Sequence, residues 1–199
     1  PQDNSDVLID VPLIKEKQEV LLVTKNGQAV RFNSEDVRVM GKAAYGVTGI
    51  DLRKGDEVVS MEVLPLETAK ISEKSLGPQK SKKISAETKD TILTITEKGY
   101  GKRSEIEDYR LISRGGKGVI NLKVTEKTGK VVKTVSVQDK DSIIVTTAKG
   151  MVIKTLVKQI RVMSRATQGV HIVRLKEGDK VVDLVKVSEI SENNEEKKE

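Results

Sequence analysis

The chain has 199 residues, which is enough for one domain with a hydrophobic core or for two small ones. Its formal net charge of +6 and pI of about 9.3 favour a polyanionic partner, such as nucleic acid, an acidic protein surface or an anionic membrane. The absence of cysteine excludes disulfides and thiolate metal sites, and the absence of a long apolar run excludes a transmembrane helix.

The basic charge lies in the body of the chain. Residues 188–199 carry a net charge of −3, so residues 1–187 carry +9. The charged side chains of this last segment are Glu189, Glu192, Glu195, Glu196, Lys197, Lys198 and Glu199. Such a polar, acidic composition cannot bury a core. We therefore predict a disordered acidic tail over 188–199.

Aromatic side chains are almost absent, because the chain contains one Phe, three Tyr and no Trp. Proteins that bind single-stranded nucleic acid usually stack the bases on several aromatic rings. The composition therefore argues against base stacking. It favours contact with the sugar–phosphate backbone of a duplex.

The predicted elements are short strands rich in Val, Ile and Thr, which end at Lys-Gly or Asn-Gly turns. The first run, residues 6–11, matches residues 56–61 and is predicted to be the last strand of a preceding repeat. Residues 20–24 then lead into Asn26-Gly27, the strongest hairpin signal in the chain. Helical periodicity is weak, and at most a short helical turn is predicted within residues 156–162.

Self-comparison divides the chain into three repeats, which cover 19–64, 91–137 and 142–187. Each repeat has a hairpin glycine and, 19 residues later, a glycine that closes a second turn. In chain order these pairs are Gly27 and Gly46, Gly99 and Gly118, and Gly150 and Gly169. A period of roughly 50 residues with about four short strands per unit is typical of radially arranged blades. We predict an all-β, propeller-like disc with three full repeats plus the last strand of a preceding one.

Together these repeats predict a single domain that covers residues 1–187. The segment 65–90 separates the first two repeats and is rich in lysine, with Pro65 and Gly77-Pro78 interrupting it. Its composition predicts a polar linker, and two interpretations are open: a solvated spacer or an arm that contacts DNA.

Basic residues recur at three equivalent positions of the repeats. Four residues after the hairpin glycine stand Arg31, Arg103 and Lys154; eleven after it, Arg38, Arg110 and Arg161; fifteen after it, Lys42, Arg114 and Arg165. Lysine and arginine also occur on surface strands simply as solvated or edge-protecting residues. Their recurrence in register nevertheless predicts a positive stripe that passes from blade to blade. A duplex following that stripe would have to bend.

The best-preserved turn is Ser113–Gly118, which contains Arg114, Gly115, Gly116, Lys117 and Gly118. Arginine and lysine neutralise phosphates, and glycine permits tight turns and close backbone approach. We therefore include these five residues in the predicted DNA-binding site, as one of three equivalent turns.

Five motifs of the sequence belong together: Glu97–Arg103, Asp108–Arg110, Arg114–Gly118, Val37–Lys42 with Gly46–Ile50, and Arg165–Val170. They resemble one known family, the C-terminal domain of DNA gyrase A. The resemblance covers nearly all of residues 6–187, with the motifs in the family's order.

The resemblance implies a β-pinwheel whose blades exchange a strand, with duplex DNA wrapped around its basic rim. It further implies ATP-dependent negative supercoiling by an A2B2 holoenzyme in the bacterial cytoplasm. The DNA-cleaving tyrosine would lie elsewhere in gyrase A, and ATP and Mg²⁺ would be used elsewhere in the holoenzyme. The partners so implied are double-stranded DNA, the rest of gyrase A and the gyrase B protein, with no membrane. No cofactor, catalytic residue or metal site is expected in this chain itself.

The chain departs from the family at its signature box, Gln-Arg-Arg-Gly-Gly-Arg/Lys-Gly. The nearest match, Ile112–Gly118, keeps the last five positions and lacks the Gln and the first Arg. We expect this chain to be a fragment of a longer array, with the full box in repeats upstream of residue 1. The departure leaves open the C-terminal domain of the corresponding protein of topoisomerase IV, which lacks a proper box.

No arrangement of residues in the sequence predicts catalysis. His171 is the only histidine, which excludes a multi-histidine metal cluster. Gly99–Arg103 lacks the spacing of a phosphate-binding loop, and no pair of carboxylates stands out. The remaining alternative of another class is a propeller-like protein-interaction module whose basic rim meets an acidic partner.

Overall fold

The computed structural model describes residues 7–15, 17–64 and 89–188. These residues form eleven strands and three single turns of 3-10 helix, with no α-helix among them. The strands are β1 (Glu19–Thr24), β2 (Gln28–Asn33), β3 (Val58–Leu64), β4 (Thr91–Thr96), β5 (Tyr100–Glu105), β6 (Val119–Ile120), β7 (Val131–Val137), β8 (Ser142–Thr147), β9 (Val152–Leu156), β10 (Val170–His171) and β11 (Val181–Val187). The predicted all-β class is confirmed.

Three antiparallel sheets are built on the same hairpin. Their strand orders are β3-β1-β2-β6, β10-β5-β4-β7 and β11-β8-β9. The hairpin glycines Gly27, Gly99 and Gly150 all have a positive φ, between 76° and 81°. This conformation is accessible to glycine without strain, which explains why the turn recurs at the same place in each repeat.

The outermost strand of the first two sheets is donated by the following repeat. Strand β6 pairs with β2, so that Val119 stands opposite Ala29, and β10 pairs with β5, so that Val170 stands opposite Gly101. The strand exchange expected of a pinwheel is therefore present. The third sheet has three strands within the described ranges rather than the predicted four, because no described segment pairs with the outer edge of β9.

Apolar clusters hold successive sheets together. Leu21 and Leu64 of the first sheet share one buried cluster with Ile92 of the second, and Leu93 shares another with Ile143 of the third. Strand β7 lies between β3 and β11. Burying one such leucine or isoleucine side chain contributes about 1.5–3 kcal/mol, so the stacked sheets are the main source of stability.

The three turns of 3-10 helix follow the second strand of each repeat. They are Ser34–Asp36, Ile106–Asp108 and Val157–Gln159. The third confirms the short turn predicted within residues 156–162. All three begin seven residues after the hairpin glycine, so the sheet-to-sheet connection is the same in each repeat.

The N-terminal segment does not form the predicted strand. Residues 7–15 contain no strand, and the only ion pair found for them joins Asp10 Oδ2 to Lys133 Nζ at 3.7 Å. A strand requires a hydrogen-bonded neighbour, and none of the described strands pairs with this segment. Nearly all of the predicted linker, 65–88, and the tail residues 189–199 lie outside the described residues.

Candidate nucleic-acid interface

The glycine-rich turn 113–118 packs against residues 48–51 of the first repeat, which follow the equivalent turn 41–46. The amide of Gly115 donates to the carbonyl of Gly49 over 2.7 Å, and the carbonyl of Gly116 accepts from the amide of Asp51 over 3.0 Å. Gly115 and Gly118 have φ values of 78° and 71°. The turn is therefore held by its own backbone, and its position relative to the first repeat is determined by these hydrogen bonds.

Gly118 is required by space as well as by conformation. A Cβ at this position would lie 2.4 Å from the carbonyl oxygen of Ala29, and one at Gly169 would lie 2.4 Å from that of Gly101. No side chain tolerates such an approach to a backbone atom. These two glycines thus permit the donated strands β6 and β10 to reach the preceding sheet.

Two cations of the turns bind backbone carbonyls of the preceding repeat. The guanidinium of Arg114 donates from Nε to Asp36 and from Nη1 to Thr48, over 2.9 and 3.1 Å. Arg165 donates from Nη1 to the carbonyl of Ile120 over 2.9 Å. Thr48 and Ile120 are equivalent residues, so the contact repeats along the chain. Both arginines are half-buried, which leaves part of each cation accessible.

The structure gives Arg31 and Arg103 a role other than the predicted phosphate contact. Arg31 is buried, donates to the carbonyls of Ile106 and Tyr109 over 3.1 and 3.0 Å, and forms an ion pair with a Glu19 oxygen at 2.5 Å. Arg103 is only 4% exposed. It donates from Nε to the carbonyl of Ile160 and forms an ion pair with the carboxylate of Asp139. The two arginines connect successive repeats and are not available to DNA.

We predict that Arg103→Ala lowers the free energy of unfolding by about 2–3 kcal/mol, since it leaves a buried carbonyl and a carboxylate without their donor. The measurement is denaturant unfolding. Arg110→Ala, which truncates an exposed arginine of the same repeat, is the control and is expected to change stability by less than about 0.5 kcal/mol. Equal losses in both variants would contradict the structural role of Arg103.

Six of the predicted cations are exposed, and their side chains make no hydrogen bond or ion pair with the described residues. We refer to them as the exposed basic set: Arg38, Lys42, Arg110, Lys117, Lys154 and Arg161. Exposed cations without an intramolecular partner can neutralise an external anion without breaking an existing contact. The set contains members from all three repeats.

Other exposed cations stand at a position that is basic in only two of the three repeats, and the sequence prediction missed them. Lys123 and Arg174 are exposed and equivalent, both standing 24 residues after their hairpin glycine. The first repeat has Asp51 there, so the position falls outside a pattern that requires a cation in every repeat. Accepting positions that are basic in two of three repeats would have found this pair.

A buried lysine beside the second turn was also missed at the level of sequence. Lys102 is fully buried at a position where the other repeats have Val30 and Ile153, and its Nζ donates to the Ser104 hydroxyl. The pKa of Lys102 is lowered to about 7, chiefly by burial; the nearby Asp108 carboxylate opposes the shift and the Arg165 charge adds to it. At neutral pH this amine is therefore only partly charged, which separates it from the exposed basic set.

Tyr109 lies in the same buried polar region. Its hydroxyl donates to Asn121 Oδ1 over 2.5 Å, and the Asn121 amide donates to the Thr94 hydroxyl over 3.1 Å. Burial raises the pKa of Tyr109 well above its ordinary value. The phenol is therefore neutral, buried and hydrogen-bonded, as expected for a structural group.

The described ranges contain no group of three or more His, Cys, Asp or Glu residues arranged to hold a metal ion. In the same ranges, no helix has the length and apolar character needed to cross a membrane.

Sequence comparison places the repeats in one family. The family described as "DNA gyrase C-terminal domain, beta-propeller" matches residues 18–65, 90–138 and 141–188. The DNA gyrase A protein of Rickettsia bellii is 37% identical over 221 residues, which cover 98% of this chain and 24% of that protein. The DNA gyrase A protein of Deinococcus deserti is 40% identical over 179 residues, which cover 89% of this chain and 20% of that protein. The chain thus spans about a quarter or less of the relatives it matches.

Two solved structures share the fold. The C-terminal domain of DNA topoisomerase IV superposes with a TM-score of 0.77 at 26% identity, covering 94% of this chain and 52% of that one. The DNA gyrase A C-terminal domain gives 0.71 at 24% identity, covering 87% of this chain and 52% of that one. The sequence relatives named above are gyrase A proteins, so topoisomerase IV is the less supported alternative. With strands donated from one repeat to the sheet before it and a family match in every repeat, the chain belongs to the DNA gyrase C-terminal β-propeller domain family.

Proposed function

We propose that this chain binds and wraps duplex DNA without sequence preference, as the C-terminal domain of a DNA gyrase A protein. One observation carries the proposal: the exposed basic set spans three repeats that are locked to one another by exchanged strands. Side chains of this kind contact phosphates, and phosphate contacts position a duplex without reading its bases.

The locked repeats support wrapping rather than simple adhesion. Bending DNA over a short site costs several kcal/mol, which only a series of fixed phosphate contacts can offset. Arg114 and Arg165 bind each turn to the repeat before it, so the spacing between successive cations is maintained when DNA pulls on them. A flexible basic tail would bind DNA without imposing this curvature.

The proposal extends to the whole protein. Gyrase A would act with gyrase B in an A2B2 holoenzyme in the bacterial cytoplasm, where the wrap directs ATP-driven strand passage towards negative supercoils. ATP and Mg²⁺ would be used outside this chain. Topoisomerase IV remains the second candidate because of the superposition on its C-terminal domain.

The test is a topology assay. The chain is incubated with relaxed closed-circular DNA, a type I topoisomerase removes the strain, and the protein is then extracted. We expect a shift in linking number that grows with the amount of protein bound. A protein-interaction module would leave the linking number unchanged, and that result would overturn the proposal.

Salt dependence provides a second prediction. If about six phosphates are contacted, the logarithm of the DNA-binding constant falls with the logarithm of salt concentration with a slope of about −5. Fluorescence anisotropy with two duplexes of unrelated sequence measures both the slope and the tolerance of sequence. A flat titration would contradict phosphate contact.

A further inference from the structure

The second and third repeats meet through a buried polar contact at a place where the first and second repeats meet through an apolar one. In the first repeat, Val30 and Phe32 belong to an apolar cluster against which Ile112 of the next repeat packs. The equivalent residues of the second repeat are Lys102 and Ser104. At the second junction a polar pair therefore replaces two apolar side chains.

This polar pair holds the backbone of the third repeat. Lys102 is fully buried, and the Ser104 hydroxyl is the only hydrogen-bond partner of its Nζ among the described residues. The same hydroxyl donates to the carbonyl of Met163, the equivalent of the packed isoleucine, over 2.9 Å. Met163 lies between Arg161 and Arg165. The contact thus positions the segment that carries two cations of the third repeat.

The direction of these hydrogen bonds depends on the protonation of the amine. An ammonium group has three N–H donors and no lone pair, so the Ser104 hydroxyl can only accept from it and keeps its own proton for the Met163 carbonyl. A neutral amine has a lone pair that competes for that proton. The protonated state of Lys102 therefore holds the segment 161–165 more firmly than the neutral state.

The charged groups around the amine connect it to an external anion. Burial is the main cause that lowers the pKa of Lys102 to about 7; the Asp108 carboxylate acts in the opposite direction, and the Arg165 guanidinium lowers the pKa further. The Tyr109 phenol is neutral, because burial raises its pKa. A phosphate bound to Arg165 would offset the repulsion between the two cations and so favour the protonated amine.

The strands on the two sides of β5 add one further titratable group. Strand β4 contains no charged residue and places Thr94 opposite Lys102. Strand β10 carries His171, whose ring stacks on that of Tyr100 with the ring centroids 3.9 Å apart. Because histidine titrates near neutral pH, a test of Lys102 requires a variant of His171 as well.

We propose that Lys102 is a positioning residue for the cations of the third repeat, and that DNA binding at this repeat is coupled to uptake of a proton by its amine. The inference rests on the proposed function, because the phosphate of a duplex is the anion that meets Arg165. The coupling is reciprocal: a phosphate that favours the protonated amine is bound more tightly, by the same factor, once the amine is protonated. Duplex affinity therefore increases as the pH falls.

The test is isothermal titration calorimetry of the full chain with duplex DNA at pH 7.5, in two buffers that differ in ionisation enthalpy. The difference between the two binding enthalpies gives the number of protons taken up. We expect about half a proton per bound chain, and an affinity about five- to tenfold higher at pH 6 than at pH 9. Lys102→Met should remove both effects, because methionine does not titrate, while Ser104 can still donate to Met163.

Three further variants identify the source of the proton. Lys149→Met makes the same change at an exposed lysine outside the exposed basic set, and it should retain the uptake. His171→Gln should retain it too. Arg165→Gln should reduce the uptake by at least about half although the Lys102 amine is still present, since it removes the charge through which the phosphate acts.

The possible failures are distinguishable. Absence of DNA binding at every pH would overturn the proposed function and this inference with it. DNA binding without proton uptake, or with equal uptake in Lys102→Met and the unmodified chain, would overturn this inference alone. Uptake that disappears in His171→Gln would assign the proton to the histidine, and uptake that Arg165→Gln retains in full would overturn the coupling through that arginine.

Discussion

Neutralising five members of the exposed basic set lowers duplex-DNA affinity by at least about 1000-fold at 0.1 M salt. The substitutions are Arg38→Gln, Lys42→Gln, Arg110→Gln, Lys117→Gln and Arg161→Gln. Counterion release makes each phosphate contact worth about eightfold in affinity at this salt concentration, so even partial engagement of the five gives a loss of this size. Lys154 is left unchanged because it is part of strand β9 itself. The measurement is fluorescence anisotropy with a labelled duplex.

A control with the same change in net charge separates a defined site from general attraction. Five exposed lysines each have a partner within their own chain: Lys25, Lys89, Lys98, Lys130 and Lys149. Replacing all five with glutamine should lower affinity by no more than about tenfold, through the weaker long-range field alone. Equal losses in the two quintuple variants would show that net charge, and not the exposed basic set, determines binding.

The second large effect is a gain in stability from Lys102→Met. Because burial lowers the pKa of Lys102 from 10.5 to about 7, the folded protein disfavours the charged amine that the unfolded chain carries. The penalty is greatest below pH 7 and disappears as the pH rises towards 10.5. The free energy of unfolding of the unmodified chain should therefore increase by about 3 kcal/mol between pH 7 and pH 9.5.

Methionine at residue 102 removes the titrating group and fills an apolar position, as valine and isoleucine do in the other repeats. We expect Lys102→Met to raise the free energy of unfolding at pH 7 by about 2–4 kcal/mol and to flatten its pH dependence. Denaturant unfolding at pH 7 and pH 9.5 tests both expectations. Lys117→Met, at an exposed lysine, is the control and should leave the slope unchanged. A slope that persists in Lys102→Met would assign the pH dependence to another group.

The hairpins and the repeat could be predicted from the sequence because their signals are local. Asn26-Gly27 and its equivalents require a positive φ, and a fixed offset between glycines survives differences in the remaining residues. The exchanged strands β6 and β10 left no such signal, since two residues are too few for an alternating pattern. They were expected only through the family resemblance.

The sequence alone does not show which predicted cations are buried between repeats and which are exposed. Both kinds include arginines that recur at the same position of successive repeats. Arg31 and Arg103 belong to the first kind and Arg38 and Arg110 to the second. Only the packing of successive repeats distinguishes them.

A sheet and a repeat do not share the same boundaries, because the outer strand of a sheet comes from the next repeat. This difference determines how such a chain can lengthen during evolution. Each of the first two sheets is completed by a strand that the following repeat encodes. A duplicated stretch of gene covering one repeat therefore brings the strand that its predecessor needs and presents a new edge of the same shape. Repeats can therefore be added one at a time without redesigning an existing interface, and loss of an internal repeat joins two surfaces that already fit.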